Sequence, residues 1–392
     1  MTNMHKTIPP KENLDSEAAL KARLKAGKDF SNIVIQNIDL RKLDGELAGK
    51  AWENSVFLGC HLGPIMAARA VECAALIFPP FDGKDYDPYR STLYKVAELY
   101  RGFDPADAQA SYAQTPDYKV FQSYKDVVKR EIRAVSIDET MARHIHDNSI
   151  DTALQKFLVK HRGQGVVAIM GGHDRLRNDP AYAKVANLSR ELTRKGFLLV
   201  SGGGPGLMEA TNLGAYLAAH PDEALTQALT TLAEEPSWKD TPRWITAAWK
   251  VLRQFPRLDG ARNLGIPTWF YGHEPPNLFA THIAKYFDNS IREEGLLAIA
   301  THGVVYAEGN AGTVQEIFQD ACQNYYRTYG FSSPMIFYGK TYWNPGPGEV
   351  GKPAYPLVQR LAAERRFSHL VHTTDDAEEI SLIIQNYRPI KV

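Results

Sequence analysis

The sequence predicts a doubly wound α/β fold for residues 151–392, a parallel sheet covered by helices on both faces. Three observations carry that expectation. Short, wholly apolar runs such as Val166–Met170 and Val304–Ala307 have the composition of strands buried on both sides. Helical periodicity follows these runs, and strand and helix alternate along the chain. Two of the strand-to-helix junctions, Ser201–Gly206 and Gly309–Thr313, are built of glycine and other small residues, as expected of ligand loops at the carboxyl ends of parallel strands.

Residues 1–150 read differently, as an accessory region of mixed structure that regulates the second region or builds an oligomer. The first 28 or so residues are polar, and the first dozen are expected to be mobile. Large apolar residues then recur every fifth position, at Phe30, Ile35 and Leu40 and again at Trp52, Phe57 and Leu62. That period fits a few coils of a solenoid, and equally a pair of irregular strands or hairpins. Pro64–Phe78 reads as a buried helix, and helical spacing returns over Ser91–Tyr100 and Phe121–Arg133.

In the second region Val166–Met170 is the first strand. A helix opens at Asp179-Pro180, with proline pre-set for the first turn, and stops at Gly196. Phe197–Val200 is the second strand, followed by the glycine loop and a helix over Leu207–Ala218. Two helices are expected within Pro221–Leu258, a third strand over Ile266–Tyr271 and a helix over Leu278–Arg292. Val304–Ala307 and Pro334–Tyr338 give the fourth and fifth strands. Asn344–Pro356 is a loop, and Leu357–Glu364, Phe367–Val371 and Asp375–Tyr387 close the domain.

Composition narrows the function. The 392 residues carry 45 basic and 45 acidic side chains, so no global field draws the chain to nucleic acid or to an anionic membrane. Three widely spaced cysteines, Cys60, Cys73 and Cys322, suit neither a disulfide framework nor a zinc site. No apolar run reaches transmembrane length, and the polar start has no signal-peptide pattern, so a cytoplasmic protein is expected. No metal or redox cofactor is implied, because clustered His/Cys ligands and a dinucleotide fingerprint are both missing from the sequence.

The chemistry concentrates at the glycine loops. Glycines let the backbone approach an anion, and the helix that follows offers unpaired N–H groups and the positive end of its dipole. Glu316 sits one turn into the helix after Gly309, Asn310, Gly312 and Thr313. A purely local alternative is a capping box, in which Thr313 and Glu316 satisfy the helix start. Gly202, Gly203, Gly204 and Gly206, with Met208 and Glu209 behind them, form the second loop. Gly171, Gly172 and His173 end the first strand, and Arg175 and Arg177 follow, as phosphate clamps or as solvent-facing residues.

These motifs, in this order, resemble the LOG ("Lonely guy") family over residues 165–388. The matches are Gly171-Gly172, the stretch Gly202–Ala210, the stretch Gly309–Glu316 against that family's PGGxGTxxE signature, and the strand and aromatic segment Pro334–Trp343. The resemblance implies a Rossmann-like domain that hydrolyses the N-glycosidic bond of nucleoside 5′-monophosphates to free base and ribose 5-phosphate. It also implies Glu316 and Arg292 as catalytic residues and at least a homodimer. Gly171, Gly172, His173, Gly203, Gly204, Gly206, Met208, Glu209, Gly309, Asn310, Gly312 and Thr313 would contact substrate. The sequence departs from the family at Glu293, where lysine is usual, at Asn310 for the second glycine, and at Glu308 for proline. A carboxylate at Glu308 must turn away from a phosphate or pair with a cation, and asparagine tolerates the left-handed backbone a glycine would adopt. The rival expectation is a non-hydrolysing nucleotide sensor or carrier on the same fold.

Overall fold

The computed structural model describes residues 11–130, 136–270 and 274–389. The expected mobility of residues 1–10, the end of the helix expected over Phe121–Arg133 and Tyr271 of the expected third strand lie outside the described residues. Two compact units are present: residues 11–92 with 136–153, and residues 93–130 with 154–389. Among the described residues no helix is long and apolar enough to cross a membrane.

In the smaller unit the five-residue spacing becomes a stack of parallel strands joined through short helices. Strands β1 (Glu12–Leu14), β2 (Ile33–Gln36), β3 (Val56–Leu58) and β4 (Leu76–Phe78) pair in chain order, all parallel, so hairpins are not formed. Ile35 stands in register with Phe57, and Phe57 with Ile77. Phe30, Ile35, Leu40, Trp52 and Phe57 all enter one apolar core. The corners between them turn through positive φ at Asn32, Asn37, Asn54 and Gly59, residues that accept left-handed backbone at low cost. The expected helix over Pro64–Phe78 ends at Glu72, and its last residues form β4 instead.

The larger unit is built on seven parallel strands. They are β5 (Val166–Met170), β6 (Leu198–Ser201), β7 (Asn263–Gly265), β8 (His282–Ile283), β9 (Val304–Tyr306), β10 (Met335–Tyr338) and β11 (Val371–Thr374). Their order in the sheet is β11-β10-β9-β5-β6-β7-β8. The chain runs outward one way from β5 and the other way from β9, so the order reverses between those two strands. The crevice beyond their carboxyl ends is where ligands bind in folds of this kind.

Three expectations change. Residues 93–130, placed with the accessory region by sequence, pack into the larger unit. Tyr94 bridges Ile283, the Tyr100 hydroxyl donates to the Pro276 carbonyl (2.6 Å), and the buried Asp117 carboxylate accepts from Lys285 (2.5 Å) and Trp269 Nε1 (3.0 Å). The third strand is Asn263–Gly265, ending before Pro267, which has no N–H to give the ladder. The helix expected over Leu278–Arg292 is instead strand β8 followed by a helix over Asn289–Ala298, capped by Asp288. The apolar run before that cap is buried on all sides, so it carries no periodicity to tell strand from helix.

Candidate functional site

Both glycine loops lead into helices whose starts lack a side-chain cap. Elsewhere in this unit Asp179, Asp240, Asp288 and Asp376 accept a first-turn N–H of the helices they precede. Gly206 before the Leu207–Tyr216 helix and Asn310 before the Ala311–Tyr326 helix make no such bond. The Leu207 N–H is taken by the Gly172 carbonyl, and among the described residues no side chain accepts from the other first-turn N–H groups of these two helices. The backbone around them is held closely. Gly206 has φ +66°, and a Cβ there would stand 2.4 Å from the Gly172 carbonyl oxygen. A Cβ on Gly309 would stand 2.1 Å from Thr313 Oγ1, whereas one on Gly312 would meet nothing within 4 Å.

Gly171 and Gly172 tie the loops together. The Gly172 N–H donates to the Glu308 carbonyl (3.0 Å), and its own carbonyl accepts from Leu207 N–H (3.1 Å). Asn277 clamps the second loop, donating its backbone N–H to the Gly203 carbonyl (2.8 Å) and its side-chain amide to the Gly204 carbonyl (3.1 Å). Met208 lies across that loop, its sulfur 2.5 Å from where a Gly202 Cβ would be.

The capping box is not formed. The helix begins at Ala311, Thr313 falls inside it, and Glu316 turns to Arg292 of the Asn289–Ala298 helix, with Nη1 3.5 Å from Oε1. Arg292 in turn borders the second glycine loop, 3.7 Å from where a Gly202 Cβ would stand. Two further carboxylates belong to this neighbourhood. Glu274 Oε2 lies 3.6 Å from the Cβ position of Gly204, and its Oε1 is 3.6 Å from His173 Nδ1. Glu293 Oε2 accepts from Asn289 Nδ2 (2.8 Å) and Gln315 Nε2 (3.0 Å), while its Oε1 is buried with no hydrogen-bond partner. Burial pushes the Glu316 carboxyl up to about 7; the Arg292 guanidinium opposes this, and Glu293 and Glu274 reinforce it. Burial also raises Glu274, against the pull of His173, Arg292 and Lys285.

Glu308 does not oppose an anion at the Gly309 loop. Arg175 Nη2 meets its Oε2 at 2.5 Å, in a cavity of about 250 Å³ lined also by Lys184, Tyr338 and Asp375. Asn310 needs no left-handed backbone, having φ −102° and ψ −151°. Its amide is taken from both sides, donating to Asp174 (2.8 Å) and accepting from Lys352 Nζ (2.6 Å). Lys352 also donates to the Gly309 carbonyl (2.8 Å) and to the Tyr342 hydroxyl (2.7 Å).

Glu209 is drawn away from the site. Both its oxygens accept from the buried Arg177, at 2.9 and 2.6 Å, so neither residue faces solvent or an open loop. The sequence reading therefore missed Glu274, Asn277 and Lys352 and misplaced Arg177 and Glu209. Glu274 and Asn277 stand beyond the carboxyl end of β7, a position that itself marks a ligand loop once the strand is placed correctly. Lys352 belongs to the loop expected over Asn344–Pro356, where nothing local sets it apart.

No family model matches the chain, and no curated protein does either. Among solved structures it is similar to the molybdenum cofactor binding protein of the phototrophic bacterium Rippkaea orientalis, at 14% identity and a TM-score of 0.35, over 57% of this chain and 96% of that one. It is likewise similar to the Moco carrier protein of Chlamydomonas reinhardtii, at 14% identity and TM-score 0.34, over 57% and 99%. TM1055 gives 19% identity and TM-score 0.33, over 57% and 99%. Likeness at this level says nothing of ligand or activity. The parallel sheet with helices between its strands and loops at its carboxyl ends defines an α/β, Rossmann-like fold in its own right.

Proposed function

We propose that the larger unit is a nucleoside 5′-monophosphate N-glycosidase, releasing free base and ribose 5-phosphate. The observation that carries this reading is the Glu316–Arg292 pair, a largely buried carboxylate held near neutrality beside a permanent cation and bordered by a glycine loop. A carboxyl group poised near 7 exchanges a proton at working pH, as general acid–base chemistry requires. The free N–H groups of the Ala311–Tyr326 helix start, with Gly309, Gly312 and Thr313, hold the 5′-phosphate. Gly203, Gly204 and Gly206 admit the ribose, and His173 with Glu274 borders the base or the sugar. Glu209 drops out of the ligand set, because Arg177 occupies it.

Cleavage puts positive charge on the ribose, which the Glu316 carboxylate stabilises at C1′. Water adds to C1′ and gives its proton to Glu316, while the C1′–N bond breaks and its electron pair leaves with the base, which takes a proton from solvent. Arg292 positions phosphate or ribose through charge-assisted hydrogen bonds and does not itself donate a proton. The resemblance of the loop motifs to the LOG family points to the same substrate class.

The test is release of base and ribose 5-phosphate from a panel of ribo- and deoxyribonucleoside monophosphates. Glu316→Gln and Arg292→Ala are each expected to reduce turnover at least about a hundredfold. Nucleotide binding without cleavage by the parent protein would replace the hydrolase with the sensor or carrier.

A further inference from the structure

A second charged cluster lies at the other end of the sheet. Arg262 directly precedes β7, and Thr281 and His282 open β8, so all three stand at the amino ends of these strands, away from the glycine loops. Lys95 follows Tyr94, which bridges Ile283 at the sheet edge, and its Nζ donates to the Thr281 carbonyl (3.1 Å). Arg257 enters from the loop before β7. Phe157 packs at a tilt, 4.5 Å between ring centroids, against both His161 and His282, drawing the two imidazoles into the same group.

The balance of charge here is one-sided. Lys95 is half-buried and Arg257 and Arg262 are exposed, and among the described residues none of the three makes an ion pair. Glu98 is the acid whose charge acts on Lys95. The cations bear on one another and on the imidazoles. Burial, then Arg257, brings Lys95 down to about 8, and burial with Lys95, Arg257 and Arg262 brings His282 down to about 3. Lys95 spends one donor on Thr281 and keeps two, and each guanidinium presents a planar fork suited to phosphate oxygens. Three cations gathered at the amino ends of β7 and β8 with one acid acting on them, one cation half-desolvated, are what a multiply charged anion neutralises.

We propose that Lys95, Arg257 and Arg262 form a binding site for a soluble ligand bearing two or more phosphate groups, separate from the glycine-loop site. The phosphates take their charge-assisted hydrogen bonds from the two guanidinium groups and the two free donors of Lys95. Occupancy lifts the share of the His282 depression that the cations supply, burial keeping the larger share, so His282 reports binding at this site and not at the glycine loops.

The experiment is titration of the full chain with pyrophosphate at fixed ionic strength, read by calorimetry and by the imidazole proton resonances of His282 and His161. Sulfate serves as the control, and a single-stranded oligonucleotide as competitor. Expected are saturable pyrophosphate binding, an upward move of the His282 titration in the complex, and at least about a tenfold loss of affinity in R257Q/R262Q. Both arginines are exposed, so the variant keeps its fold, checked by an unchanged thermal transition without ligand. Binding that leaves His282 unmoved, or that survives in R257Q/R262Q, overturns the assignment. So does equal binding of sulfate, or an oligonucleotide that pyrophosphate cannot displace.

Discussion

Two arginine–glutamate pairs in the larger unit share residue types and differ in almost everything else. Arg177 and Glu209 keep 1% and 0% of their side-chain exposure and meet through two hydrogen bonds, at 2.9 and 2.6 Å. Arg177 also donates to the carbonyls of Glu235 (3.2 Å) and Trp244 (3.0 Å) and lies 4.7 Å over the Trp244 ring. Arg292 and Glu316 keep 10% and 12%, approach only to 3.5 Å, and leave Glu316 shifted toward its neutral form. The first pair is saturated and serves packing. The second pair, slightly exposed and joined only at 3.5 Å, retains unspent charge. Burial alone does not distinguish the two pairs; the hydrogen bonds left unmade do.

The largest test of this contrast is stability. Arg177→Met strands the Glu209 carboxylate in the core, and unfolding in urea should show a loss of about 3–5 kcal/mol. Arg292→Met should lose about 1 kcal/mol, because Glu316 already takes up a proton near neutrality and what is lost besides is the pair of hydrogen bonds to Asn289. Equal losses in the two variants would erase the distinction.

A smaller effect lies in pH. Glu316 titrates at about 7 in the folded protein against an ordinary 4.5, so between those values the folded state holds a proton that the unfolded chain has released. Its contribution to stability is therefore full below about pH 4.5 and disappears as pH rises through 7, by about 3 kcal/mol at most. Asp320, buried against the Tyr306 hydroxyl and also raised to about 7, adds a slope of the same sign. Glu316→Gln should flatten the stability–pH curve over this window and leave the Asp320 share. A curve identical to the parent's would mean that Glu316 is not held near neutrality.

How much of this was readable beforehand follows from how local each signal is. The strand Val166–Met170 and the glycine loops announce themselves within a few residues, whereas Arg292 was named beside Glu316 only through the family resemblance. The five-residue period was equally visible, since Phe30, Ile35 and Phe57 all reach the core. What closes it into parallel coils is pairing between residues a whole coil apart, which no local window contains. Strands β7 and β8 have three and two residues, too few to show a period. Glu209 lay next to a glycine loop in sequence, and nothing near it announced Arg177. Long-range pairing decided both misplacements.

The finest test concerns Glu293, which stands where the resemblance would place lysine. Its carboxylate, fixed by Asn289 and Gln315, raises Glu316, and Arg292 acts against it with the larger effect. Glu293→Gln should keep both of those neighbours while removing the charge, so the Glu316 titration should move down in pH. Arg292→Met should move it up, and further. Carbon resonances of the Glu316 carboxyl measure both directions in the same protein. A Glu316 titration that stays in place in Glu293→Gln would mean that burial alone sets its position, and that the exchange of lysine for glutamate beside Arg292 does not tune this carboxyl group.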